Sequence, residues 1–151
     1  MDFKELHVEN FVVRPLLAED ADSIVEIYSA IIQGPVNPDF RQLIIHHGNQ
    51  HNGACFVAEQ NGTVVGFLIS YILSLGFGIE KSAWIAILGV DPAFMGKGIG
   101  ASMAEETYAY YRGKGIKRVY TSVRWDTTDL LSFFKTQGFE QSNHINLKKD
   151  L

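Results

Sequence analysis

The sequence predicts an α+β domain built on a mixed sheet with one βαβ crossover. Three observations carry that expectation. Two strand-like runs, 54–59 and 63–73, flank Asn61-Gly62, the strongest short hairpin signal a sequence offers. Ile24, Ile27, Tyr28 and Ile31 recur at helical spacing between residues 18 and 31. An apolar run at 83–90 leads through Asp91-Pro92 into three alternate glycines, Gly96, Gly98 and Gly100, and then into a second helical pattern.

In chain order, residues 11–16 read as a first strand closed by Pro15. The helix over 18–31 has Glu19, Asp20 and Asp22 near its start, where the helix dipole favours negative charge. Gly34, Pro35 and Pro38 break it, 39–47 predicts a shorter helix, and 48–53 a polar loop. The hairpin follows, then a glycine-rich loop and the strand at 83–90. After the alternate glycines, Met103, Ala104, Thr107, Tyr108 and Tyr111 mark one helix face, and Gly113 and Gly115 stop that helix. Residues 119–123 read as a strand. Asp126 or Thr127 can cap a last helix carrying Leu130, Leu131, Phe133 and Phe134, which Gly138 is placed to end in the left-handed conformation. The remaining tail predicts one or two closing strands.

A length of 151 residues fits a single domain, 1–151, able to bury one core without disulfides or metal. The net charge of −4 disfavours nucleic acid as the main partner. Cys55 stands alone, which suits a reducing compartment. The opening residues carry no apolar signal core, and no apolar stretch is long enough for a bilayer span. The expectation is a cytoplasmic protein with neither membrane nor nucleic acid as partner.

Glycines between a strand and a helix suit an anion site, because the first helical amides lack partners inside the helix. A Walker A loop fails at two positions: Asp91 stands where its first glycine belongs, and Gly98 where its Ser/Thr belongs. A dinucleotide fingerprint matches Gly96, Gly98 and Ala101, but five residues separate it from the strand, a hairpin precedes it, and no acidic ribose partner follows.

The third reading is a coenzyme A pyrophosphate site. The stretch from Val90 through Asp91-Pro92 to Gly96, Gly98 and Gly100 resembles the V-x-P-x-x-[RQ]-x-x-G-x-[GA] signature of the GNAT superfamily of N-acetyltransferases. Met95 stands where Arg or Gln is usual. Val13-Arg14-Pro15 with Glu19-Asp20 resembles the family's opening, and Phe133-Phe134 to Gly138-Phe139 resembles its closing F-Y-x-x-x-G-F. The similarity runs from about residue 11 to 147.

The resemblance implies the acyl-CoA N-acyltransferase fold: a mixed, mostly antiparallel sheet flanked by helices, with its fourth strand splayed from the fifth. It implies acetyl-CoA as co-substrate and no metal. The pantetheine arm would pair with the backbone of Leu88, Gly89 and Val90. The segment Gly96, Lys97, Gly98, Ile99, Gly100 and Ala101 would hold the pyrophosphate. Thr127 stands where many members carry a cofactor-touching Asn, and a helix-capping role is an equal reading. Phe134 occupies the position of the usual general-acid Tyr. A thiolate of pKa about 8.5 lies only about 2 kcal/mol above its protonated form at pH 7, so losing that acid would slow the step without stopping it. Tyr108, Tyr111 and Tyr120 are other donors to weigh, each against a packing role. Glu80 and Asp126 are weak candidates for the base that neutralises the attacking amine. The acceptor would be a primary amine on a small molecule or peptide. Ser122 stands where members acetylating protein N-termini carry Glu, which weighs against that substrate. A binding protein that retains acyl-CoA recognition without turnover is the alternative, and a homodimer through the last strands stays open.

Three histidines, His46, His47 and His51, invite a metal reading. Gly48 and Asn49 are expected to break the helix that would align His47 with His51, and no Cys or carboxylate completes a set, so a polar loop is the expectation. Cys55 alternates like a strand residue and reads as small core.

Overall fold

The computed structural model describes residues 10–49, 53–74 and 80–151. The opening residues, His51 and parts of the two predicted loops lie outside the described residues. The chain forms two compact units, one ending at Thr121 and the other covering Ser122–Leu151.

The first unit holds a five-stranded sheet in the order β1-β2-β3-β4-β5: Val12–Pro15, Cys55–Gln60, Thr63–Leu73, Ser82–Val90 and Val119–Thr121. The first four strands form an antiparallel meander. β5 runs parallel to β4 after a crossover through helix α3, Ile99–Gly113. Asn61 and Gly62 sit at φ 51° and 78° between the paired residues Gln60 and Thr63, the left-handed pair that a two-residue hairpin requires.

Helices α1, Ala21–Ile32, and α2, Pro38–Asn49, pack on one face of the sheet. The core there joins Ile24, Ile27 and Ile44 to Val57, Phe67 and Ile69, all nearly or fully buried. α1 ends at Gln33, which takes φ 55° itself, one residue before the glycine expected to break it. α3 covers the other face through Ile99, Met103, Ala104, Thr107 and Tyr111. The Tyr111 hydroxyl accepts from the Ala54 N–H at 3.0 Å and shares a 2.7 Å hydrogen bond with Ser70 Oγ, tying α3 to β2 and β3.

α2 runs longer than expected. Gly48 does not break it but lies inside it, where a Cβ would meet the Ala18 backbone nitrogen at 2.5 Å. This glycine permits a close approach of backbones instead of ending a helix.

Arg14 on β1 clamps the start of α1. Its guanidinium fork donates to both Asp20 oxygens at 2.8 Å, and its Nε donates to Glu59 Oε2 at 2.7 Å. The Leu17 N–H adds a third bond to Asp20 at 2.8 Å. Burial alone would raise the pKa of Asp20, but Arg14 and the Leu17 amide outweigh it and hold the carboxyl below its ordinary value. A depressed carboxylate stabilises the fold above its unfolded pKa, about 3.9, and that stability is lost as pH falls through the folded value. Asp20→Asn is therefore expected to lower stability at pH 7 by about 2 kcal/mol, with the gap to wild type closing below about pH 4. Urea unfolding across that range checks it.

The second unit carries α4, Thr128–Thr136. Gly138 follows at φ 91°, as expected. The closing strands do not form: β5 ends at Thr121, and no residue from 122 to 151 is in a strand. Ile145 and Leu147 are 79% and 87% exposed, so the alternating apolar residues of the tail are not buried.

Candidate active site

Two irregularities in β4 shape the site. The first is a bulge. Ile69 of β3 faces Ile87 and Ser70 faces Ile85, so Ala86 has no partner on β3 and is exposed. The second is an early end to the pairing with β5. That pairing covers Ala83, Trp84 and Ile85 only, and the Thr121 hydroxyl closes it by donating to the Ile85 carbonyl at 3.0 Å. Ile87 to Val90 pair with β3 alone among the described strands. Such a one-sided edge can accept an extended chain as an added strand. Leu88 and Val90 are half-buried on it, and Gly89 is buried.

The strand then turns sharply. The Asp91 N–H donates to the Val65 carbonyl at 2.8 Å, pinning the strand end to β3. Asp91 Oδ1 accepts from the Ala93 N–H at 3.0 Å, and a single 3-10 turn, Pro92–Phe94, redirects the chain. Gly96 and Gly98 both take φ 80°. A Cβ at either would meet nothing within 4 Å, so the glycines answer a backbone demand and leave open space beside the loop.

Gly98 is the N-cap of α3, and no side chain caps that end. The Ser102 N–H donates to the Gly98 carbonyl at 3.0 Å, which leaves the amides of Ile99, Gly100 and Ala101 ahead of the helical ladder. Ile99 is only 2% exposed and anchors the turn in the core. A diphosphate fits this chemistry: uncapped donors, the positive end of a 15-residue helix and glycines that permit close approach. Lys97 Nζ lies 5.2 Å from the Phe94 ring centroid, placing a cation on the same loop.

The structure thus brings Leu88, Gly89, Val90 and Gly96 to Ala101 into one continuous strand–turn–helix segment. Gly66 adds a feature that motif reasoning missed. A Cβ there would meet Met103 Cε at 3.0 Å, Ile99 Cγ2 at 3.1 Å and the Gly89 carbonyl at 3.3 Å. This glycine lets α3 settle against β3 beside β4, and a lone glycine inside a strand run is the sequence signal for such an approach.

The other candidates lie outside this segment of the chain. Glu80 is exposed ahead of β4. Ser82 lies six residues before Leu88, about 20 Å of extended chain, so Glu80 is remote from the opened edge. In the second unit, Asp126 is exposed and paired with Arg124 at 2.7 and 3.0 Å, which holds its carboxyl below the ordinary range and weakens it as a base. Thr127 is the N-cap of α4 but makes no side-chain capping bond. Phe134 is 3% exposed and packs edge-on against Phe133 and Phe139.

Burial, with help from Glu105, pushes the Tyr108 phenol up to about 12. Tyr111 is taken up by the Ala54–Ser70 network, and its phenol is raised by burial. Tyr120 stacks on Trp84 at 5.0 Å. Cys55 is half-buried with its thiol directed at the Ser70 carbonyl, 3.5 Å away, and burial raises its pKa. His46 and His47 lie on α2, and burial lowers the pKa of His47. Among the described residues, no group of three or more metal-ligating side chains is gathered, and no helix is long and apolar enough to cross a membrane.

Comparison with known proteins places this segment in a family. The model of the acetyltransferase (GNAT) family matches residues 21–139. The N-alpha-acetyltransferase RimI of Mycobacterium tuberculosis is 30% identical over 137 residues, covering 88% of this chain and 80% of that protein. Mycothiol acetyltransferase of Amycolatopsis mediterranei is 29% identical over 87 residues, 56% of this chain, and the match spans only 29% of that longer protein. An aminoglycoside acetyltransferase from an uncultured soil metagenomic sample shares the fold with a TM-score of 0.74 at 24% identity, covering 93% of this chain and 97% of that one.

Proposed function

The chain belongs to the acetyltransferase (GNAT) family, and from that premise we propose that it moves an acetyl group from acetyl-CoA to a primary amine of a small molecule or peptide by direct transfer. The observation that carries this reading is the β4 edge: unpaired past Ile85, bulged at Ala86 and continuous with the glycine turn at the uncapped start of α3. In this reading residues 1–151 act as one domain. The pantetheine arm extends along Leu88 to Val90, and the diphosphate meets the amides from Gly96 to Ala101.

The transfer itself asks little of side chains. The neutral amine attacks the thioester carbonyl, a main-chain N–H near Val90 stabilises the oxyanion, and coenzyme A leaves as the thiol. An alkyl ammonium has pKa about 10.4, so its proton must first pass to a base or to water. The buried phenyl ring of Phe134 offers no proton, so in this reading the departing thiolate takes its proton from solvent. The kinship with RimI favours a peptide amine, while Ser122 at the position of the usual Glu argues for a small molecule; both classes stay within the proposal. The lone Cys55 suits a reducing, cytoplasmic setting. A homodimer remains part of the reading, and light scattering tests it.

Thiol release from acetyl-CoA against a panel of aminoglycosides, small primary amines and peptides with free N-termini tests the function. Amine-dependent release is the expected result. Tight acetyl-CoA binding without release on any acceptor would favour the second reading, a non-catalytic acyl-CoA-binding protein, for which the missing hydroxyl at Phe134 is the motivating observation.

A further inference from the structure

Gly89 meets a demand that a cofactor edge alone does not explain. A Cβ there would stand 2.7 Å from Phe67 Cε1 and 3.0 Å from Ile31 Cδ1. Phe67 is its direct cross-strand partner on β3 and is fully buried. Its ring meets Phe40 of α2 edge-on at 6.3 Å, and Phe40 stacks on Tyr28 of α1 at 4.4 Å. A column of three rings therefore runs from the α1–α2 pair down to the α-carbon of one β4 residue. On the other face of the sheet, Ile99 and Met103 of α3 and the Gly89 carbonyl leave no room for a Cβ at Gly66.

We infer that Phe67 and Ile31 are positioning residues for acetyl transfer: by occupying the space over Gly89 that a Cβ would need, they set the height of the β4 main chain from Leu88 to Val90, where the thioester carbonyl would lie. The inference rests on the proposed transferase reading. Its physical ground is the steep distance dependence of oxyanion stabilisation, in which a misplacement of about 1 Å can cost about 100-fold in rate. A glycine covered by a cross-strand aromatic has no side chain of its own to hold its place, so the covering atoms hold it. The diphosphate end is held separately, by amides beyond Gly96. Removing the covering atoms should therefore disturb carbonyl alignment much more than cofactor affinity.

Ile31→Val deletes Cδ1, the atom that lies over Gly89, and changes little else, since Ile31 is 40% exposed. Phe67→Leu removes the ring from the same contact. The readout is the carbonyl stretch of bound [1-13C]acetyl-CoA by infrared spectroscopy, which needs no acceptor amine. In the wild type the band should lie below that of the free thioester. In either variant it should broaden and move back toward the free value, while the acetyl-CoA dissociation constant changes by less than about threefold. With whichever amine supports release, kcat should fall about tenfold at nearly constant KM for acetyl-CoA. Ile31→Leu, which restores a δ carbon, should recover most of both signals.

An unshifted band in wild type, or a band identical to wild type in a folded Ile31→Val or Phe67→Leu protein, overturns the inference. If Phe67→Leu does not fold, Ile31→Val decides. A wild-type protein that fails to bind acetyl-CoA at all sinks the transferase reading itself, and that failure is visible before any variant is made.

Discussion

Gly98→Val should reduce acetyl-CoA affinity about 100-fold or more, an effect of about 3 kcal/mol, while the protein stays folded. Two costs combine at this position. Gly98 takes φ 80°, a conformation that a β-branched residue enters only with strain. A Cβ there also projects into open space beside the three uncapped amides of α3, the space a diphosphate would fill. Strain alone would lower stability without touching affinity, so a control is needed. Gly62 supplies it: φ is 78°, nothing lies within 4 Å of its Cβ position, and it sits in the hairpin between β2 and β3. Gly62→Val should cost similar stability and leave binding unchanged. Calorimetry with acetyl-CoA on both variants, each checked by thermal melting, separates the two effects. Wild-type affinity in a folded Gly98→Val protein would remove the phosphate role from this loop.

What could be read in the sequence was what is decided locally. Asn61-Gly62 needs only its own two backbone conformations, and it takes both. The face of α3 is set by a spacing of 3.6 residues, and Met103, Ala104, Thr107 and Tyr111 are buried as that spacing requires. The strand–glycine–helix turn is legible for the same reason. Features set by a partner were not legible. The bulge at Ala86 exists only in the register between β4 and β3, and residues 86–90 lack a β5 partner only because β5 is three residues long. The tail has the alternation of a strand but forms none, because a strand needs a paired neighbour that its own sequence does not specify. Acid–base chemistry was the least legible, because it depends on which titratable groups the fold gathers. Asp126 is a candidate base in the sequence and is held ionised by Arg124 two residues away.

Gly48 shows how a correct local rule can point to the wrong cause, and it carries the second large prediction. Glycine inside a helix costs about 1 kcal/mol relative to alanine, so Gly48→Ala by propensity alone should stabilise α2. The expected result is the opposite sign: a loss of about 3 kcal/mol. The added methyl would lie 2.5 Å from the Ala18 nitrogen, 2.8 Å from its α-carbon and 2.9 Å from the Leu17 carbonyl carbon. All three are backbone atoms in the turn between β1 and α1, so no rotamer change relieves the contact. That turn is itself fixed by the Leu17 N–H to Asp20 bond and the Arg14 clamp. Either α2 must move away from it, opening the core around Ile44, or the clamp must break, and overpacking of this kind costs about 1–3 kcal/mol or more. Gly113→Ala gives the contrast. Gly113 closes α3 with nothing within 4 Å of its Cβ position, so there alanine should be neutral or stabilising by up to about 1 kcal/mol. Urea unfolding of the two variants should give shifts of opposite sign. Equal stabilisation by both would mean that α2 does not press on the β1–α1 turn, and the reading of Gly48 as a close-contact glycine would fail with it.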